Sequence, residues 1–141
     1  MKTFMSRAAL AGLLMGASML ATAATPAPKG AEAFIVSPED GAKVPQEFKV
    51  KFGVKDISLA PAGDVTKHTG HHHLLIDVKD LPAAGQPIPT DANHMHFGKA
   101  QTEATIKLPP GKHTLQLELG DSGHIPFDPP IVSKKITVTV E

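Results

Sequence analysis

Wherever the apolar residues of this chain have a period, the period is two. Phe48, Val50, Phe52 and Val54 alternate with Lys49, Lys51, Gly53 and Lys55, and Leu115, Leu117 and Leu119 alternate with Thr114, Gln116 and Glu118. Ile136, Val138 and Val140 alternate with Thr137 and Thr139 in the same way. Successive side chains of a strand point to opposite faces, so each stretch predicts a strand with one wet face. Residues 33–37 and 102–108 predict two more strands, and 72–78 predicts one that is buried on both faces in its middle. Between them stand Pro38-Glu39-Asp40-Gly41, Pro61-Ala62-Gly63-Asp64, Pro109-Pro110-Gly111 and Asp128-Pro129-Pro130, which are turn chemistry. No stretch beyond the amino-terminal leader carries a 3.6-residue pattern. About seven short antiparallel strands with turns between them predict an all-β, immunoglobulin-like β-sandwich.

The leader is an address rather than part of the fold. Lys2 and Arg7 precede an apolar run from Ala8 to Leu20, and Ala21-Thr22-Ala23 has the small-x-small form that signal peptidase reads. Residues 1–23 are therefore expected to be a cleaved signal peptide, 24–32 a flexible tether and 33–141 a single domain, working in a periplasm or secreted. The chain has no Cys, so a hydrophobic core must supply the stability that disulfides give many exported domains. Without Lys2 and Arg7, 12 Lys and Arg face 14 Asp and Glu. That balance gives no electrostatic footprint for nucleic acid or an anionic membrane.

The histidines are not scattered. Of eight, six fall in His68-Thr69-Gly70-His71-His72-His73 and His94-Met95-His96, and neutral imidazole is the commonest side-chain metal ligand. If the strand over 48–54 rises to the top of the sandwich, the strand beginning at His71 descends from there. If residues 102–108 descend and pair with 114–119 across the Pro109-Pro110-Gly111-Lys112 turn, the lead-in with His94 and His96 is also at the top. So is the loop from Asp121 to Pro130 with His124. His113 lands at the bottom as a structural or solvated residue.

Residues two apart share a face, so His71 with His73 and His94 with His96 form two pairs able to offer four nitrogens. Such a set suits copper(II) in a tetragonal site or zinc in a tetrahedral one. His72 points the other way, toward the core or behind the ligands, while His68 and His124 are loop residues that could complete the site. Met95 faces away from both its histidine neighbours. Asp77, Asp91 and Glu103 are candidates to orient ligand imidazoles from behind. Ligand imidazoles must be neutral, so affinity is expected to fall below about pH 6.5.

The segments Gly70-His71-His72-His73-Leu74-Leu75-Ile76-Asp77, His94-Met95-His96-Phe97-Gly98-Lys99, Pro109-Pro110-Gly111-Lys112-His113 and Gly120-Asp121 with His124-Ile125-Pro126 resemble domain-of-unknown-function family 4399 over residues 58–140. The resemblance implies a secreted or periplasmic domain and supplies no activity. The leading expectation is a transition-metal carrier, buffer or resistance factor with a copper or zinc ion as cofactor. The alternatives are a metal-free envelope interaction or structural module, binding an envelope protein, and a small metal-dependent enzyme with Glu103 or Asp91 as base. The sequence contains no Gly-x-Ser-x-Gly, His-Glu-x-x-His or phosphate-loop motif that would identify a catalytic class.

Overall fold

The computed structural model describes residues 24–141, together with Gly12; the signal peptide expected over 1–23 otherwise lies outside the described residues. Among the described residues nine strands run in chain order: β1 (Glu32–Ser37), β2 (Lys43–Val44), β3 (Glu47–Lys55), β4 (Ser58–Leu59), β5 (Thr69–Ile76), β6 (His94–Phe97), β7 (Glu103–Lys107), β8 (Gly111–Gly120) and β9 (Ile136–Val140). They form a sandwich of two sheets. One has the order β1-β3-β7, and the other the order β2-β9-β8-β5-β4 with β6 also paired to β5. Among the described residues no helix is long and apolar enough to cross a membrane.

The period-two stretches fold as their pattern dictates. In β3, Phe48, Val50 and Phe52 are buried while Lys49 and Lys51 are exposed. Val50 packs into one core with Leu74, Leu115, Leu117, Leu119 and Val138, all completely buried. β5 has no alternation in its sequence, and every residue from Gly70 to Ile76 is buried because both of its faces are covered. On its inner face His72 lies against Phe52, ring centroids 5.1 Å apart, next to Leu74 and Ile76 in the core. On its outer face lie His71, His73 and Leu75. Leu75, Ile88 and Ile125 are buried there apart from the main core, and the Ile88 N–H donates to the His124 carbonyl at 2.8 Å.

Two expectations are corrected. Residues 102–108 and 114–119 do not form a hairpin: β7 pairs with β3 in one sheet, and β8 pairs with β5 and β9 in the other. Pro109 and Pro110 have no N–H to give a ladder, and their turn carries the chain across the sandwich. The pairing is also mixed, since β2 runs parallel to β9 and β4 parallel to β5.

The segment that leads into β1 also makes contacts with the domain. Pro26 bridges Asp128, the Asp128 N–H donates to the Thr25 carbonyl at 2.9 Å, and the Ala27 N–H donates to the Asp128 carbonyl at 2.8 Å. Residues 25–27 are thus fastened to the loop that follows β8, and Ala33 and the rest of β1 continue directly into the sheet.

Candidate metal centre

The direction of three strands brings the histidines together. β5 descends from the end of the sandwich where β8 finishes, with His71 opposite Gly120 and His73 opposite Glu118. β6 runs antiparallel on the other side of β5 and places His96 opposite His73. The chain leaving Gly120 turns at once through Asp121 to bring in His124. His71, His73, His96 and His124 each offer a ring nitrogen, and these four atoms lie within 4.8 Å of one another.

Three of the rings contact one another, and the loop that carries His124 is fixed by Asp121. The Nε2 atoms of His73 and His71 are 3.0 Å apart, and His71 Nε2 is 3.1 Å from His124 Nδ1. In each contact one nitrogen must carry a hydrogen if no cation lies between them. His124 has a left-handed backbone, φ 64°, which a residue other than glycine adopts only where its surroundings enforce it. Asp121 enforces it: Oδ1 accepts the N–H groups of Gly123 and Ile125 at 2.9 and 3.0 Å, and the His124 N–H donates to the Asp121 carbonyl. The second oxygen, Oδ2, accepts the Thr25 hydroxyl at 2.7 Å.

The electrostatics favour neutral rings. Burial, followed by the charges of its neighbours His96 and His124, pushes the His71 imidazole down to about 4. Burial pushes His73 down to about 3, with His71 and His96 adding to it, and His96 is lowered by burial and His124. Free ring lone pairs at neutral pH are what a metal requires. The proton competition expected near pH 6.5 is therefore displaced to more acid conditions.

The donor set fits a metal ion. Donors about 2.0–2.1 Å from a tetrahedral centre lie roughly 3.3 Å apart, and adjacent donors of a square plane roughly 2.9 Å apart; two of the six separations, at 3.0 and 3.1 Å, fall in that range, and all six lie within 4.8 Å. His96 Nε2 is buried with no hydrogen-bond partner, and a metal ion would give it one. His71, His73, His96 and His124 would hold the ion.

Two glycines make room for these rings. A Cβ on Gly98 would meet Cε1 of His96 and stand 2.8 Å from its Nε2, and one on Gly120 would stand 2.9 Å from Nε2 of His73. Alanine at Gly98 has to displace the His96 ring without removing any donor. Gly98→Ala is expected to weaken copper(II) binding about tenfold, equivalent to ~1.4 kcal/mol, while far-ultraviolet dichroism stays that of the parent; unchanged affinity would place His96 outside the site.

The remaining candidates lie elsewhere. His94 shares the face of His96 but sits opposite Leu75, one step down the strand, and its Nδ1 is 2.8 Å from Asp91 Oδ1; His124 takes the fourth place instead. Asp91 serves that contact and the tight turn before β6, accepting the Asn93 N–H. Asp77 bonds His113 Nδ1 at 2.7 Å and the Thr114 N–H at 2.9 Å, and His113 Nε2 is 2.8 Å from the Pro109 carbonyl. His113 is thus a structural clamp at the opposite end, with its pKa raised chiefly by the Asp77 hydrogen bond. Glu103 lies in the other sheet, paired with Lys49 at 3.3 Å. None of Asp77, Asp91 and Glu103 backs a ring of the group of four. His68 is exposed in the turn before β5, and His72 faces the core with neither ring nitrogen partnered. Met95 packs against the core.

Sequence reasoning did not single out Glu118. Its position in the alternation Gln116, Glu118 beside Leu115, Leu117 and Leu119 made it a solvent-facing residue, yet it is fully buried on the histidine face. Burial pushes its carboxyl up to about 7.

A family model described as Domain of unknown function (DUF4399) matches residues 50–141, a stretch that includes all four clustered histidines and leaves out β1 and Thr25. No curated protein and no solved structure matches the chain.

Proposed function

The chain belongs to the DUF4399 family, a domain of unknown function, and from its site we propose that it binds one transition-metal ion, copper(II) ahead of zinc, through His71, His73, His96 and His124. The observation that carries the reading is the convergence of four ring nitrogens within 4.8 Å from three separate segments. All four donors are imidazole, with no thiolate in the chain and no thioether at the group, which favours copper(II) or zinc over copper(I). Between those two, an unconstrained nitrogen site binds copper(II) more tightly.

With the leader removed, the protein would work in the periplasm or outside the cell as a carrier, buffer or resistance factor. Four protein donors leave a tetrahedral zinc no open position for a substrate, which for that metal supports holding over catalysis. A metal-free envelope module is the second reading. It is favoured by the two short contacts that His73 Nε2 and His124 Nδ1 make with the same His71 Nε2, which hydrogen bonds shared at that nitrogen can supply without an ion.

Calorimetric titration of the untagged, chelator-stripped protein with copper(II) and with zinc at pH 7.5 separates the two. The expected result is saturation at one equivalent for each metal, tighter for copper. Weak or non-stoichiometric heats with both metals would leave the rings as a polar packing cluster.

A further inference from the structure

A buried carboxyl without a hydrogen bond is unfavourable enough that folds seldom contain one without a reason. Glu118 is 0% exposed, and neither Oε1 nor Oε2 has a partner. Its neighbour across the β5–β8 ladder is His73, so the two side chains leave the same face of the sheet with Cβ atoms about 4.5–5.5 Å apart. His73 is also 0% exposed, and its Nδ1 is likewise buried without a partner, while its Nε2 belongs to the group of four.

The two unpartnered groups are complementary. An imidazole that ligates through one nitrogen carries its proton on the other and normally gives it to a carboxylate, a carbonyl or water, which fixes both tautomer and aim. A carboxyl oxygen accepts that N–H whether or not the acid is ionised. The other acids near the histidines are engaged: Asp121 by Thr25 and its own loop, Asp91 by His94, Asp77 by His113.

We propose that Glu118 is the positioning residue of the site, its carboxyl accepting the Nδ1–H of His73 when Nε2 engages the metal. This rests on the metal-binding reading above and adds to it the residue that selects the His73 tautomer. It also gives a reason for an acid to stand on the buried side of an otherwise leucine-rich strand.

The test combines two substitutions with zinc, whose complexes give sharp nuclear magnetic resonance spectra. In Glu118→Leu the unpartnered carboxyl is gone, so the metal-free protein is expected to melt at a higher temperature. Zinc affinity is nevertheless expected to fall about 10–100-fold. Opposite movements of stability and affinity are not what a merely structural residue produces. In Glu118→Gln a carbonyl oxygen remains to accept the proton, and affinity is expected to stay within about fivefold of the parent.

Histidine-labelled spectra of the zinc-loaded parent should show His73 as the Nδ1–H tautomer with a slowly exchanging ring proton. A Glu118→Leu protein that binds zinc as tightly as the parent, or a Glu118→Gln protein that loses as much as Glu118→Leu, overturns the proposal while leaving the metal site standing. A parent that takes up no zinc and no copper removes both. If Glu118→Leu does not fold, the parent spectrum decides, since a His73 ring proton in fast exchange with water is incompatible with a buried acceptor.

Discussion

His124→Ala and His73→Ala are each expected to lower copper(II) affinity by about a hundredfold, whereas His94→Ala leaves it within about threefold. Structural zinc sites of four ligands supply roughly 10–16 kcal/mol of binding free energy, so one ligand in four is worth about 3 kcal/mol, or two decades in Kd. His94 is one strand step from the group and spends its Nδ1 on Asp91, so its loss touches the turn before β6 and not the donors. The comparison is a sharp one because His94 and His96 share a face of the same four-residue strand. Equal losses for His94→Ala and His124→Ala, measured by competition titration at pH 7.5, would reject the assignment of the fourth ligand.

The place of His124 marks the limit of what the amino-acid pattern conveys. Period two in β3, β8 and β9 was enough for the sandwich, since alternation with one wet face has few other solutions. It was also enough for three histidine segments to meet at one end, because strand direction carries that information even though the expected β7–β8 hairpin does not form. Which histidines meet depends on register. His73 opposite His96 leaves His94 beside Leu75, and nothing in His94-Met95-His96 alone distinguishes that register from one shifted by two.

His124 enters through a loop conformation built by Asp121, whose two oxygens hold Gly123, Ile125 and Thr25. The Asp-x-x-His spacing is visible in the sequence, but the contact with Thr25 spans 96 positions. The same limit hid Glu118. A strand that alternates polar and apolar residues reads as half-exposed, and only the tertiary fold makes the Glu118 side interior. Conversely, the absence of alternation in β5 did forecast burial on both faces, and it is there that His71 and His73 acquire their depressed pKa values.

Those depressed values make acid the strongest expected perturbation of the metal-free protein. Burial chiefly pushes His71 and His72 down to about 4 and His73 down to about 3, against about 6.5 in an unfolded chain. Between those limits the unfolded state binds more protons than the folded one, so stability is greatest above pH 6.5 and is lost as pH falls toward 4. Glu118, raised to about 7, works in the other direction: its contribution is complete below its unfolded value of about 4.5 and disappears as pH rises through 7. His113, raised by Asp77, has the same sign as Glu118. Three buried rings outweigh one buried acid, and the net loss on acidification is on the order of several kcal/mol, a large part of the 5–15 kcal/mol that holds a typical domain together.

The chelator-stripped protein is therefore expected to show a Tm about 15 °C or more lower at pH 5 than at pH 7.5. A bound ion keeps its ligand rings deprotonated, so the copper-loaded protein should hold its Tm over most of that interval and converge on the metal-free curve only nearer pH 4. Thermal melts of both forms from pH 7.5 to 4 read this directly. A metal-free curve that is flat across the range would mean that the three rings are not buried as neutral groups. Parallel metal-free and loaded curves would mean that the ion sits somewhere other than on His71 and His73.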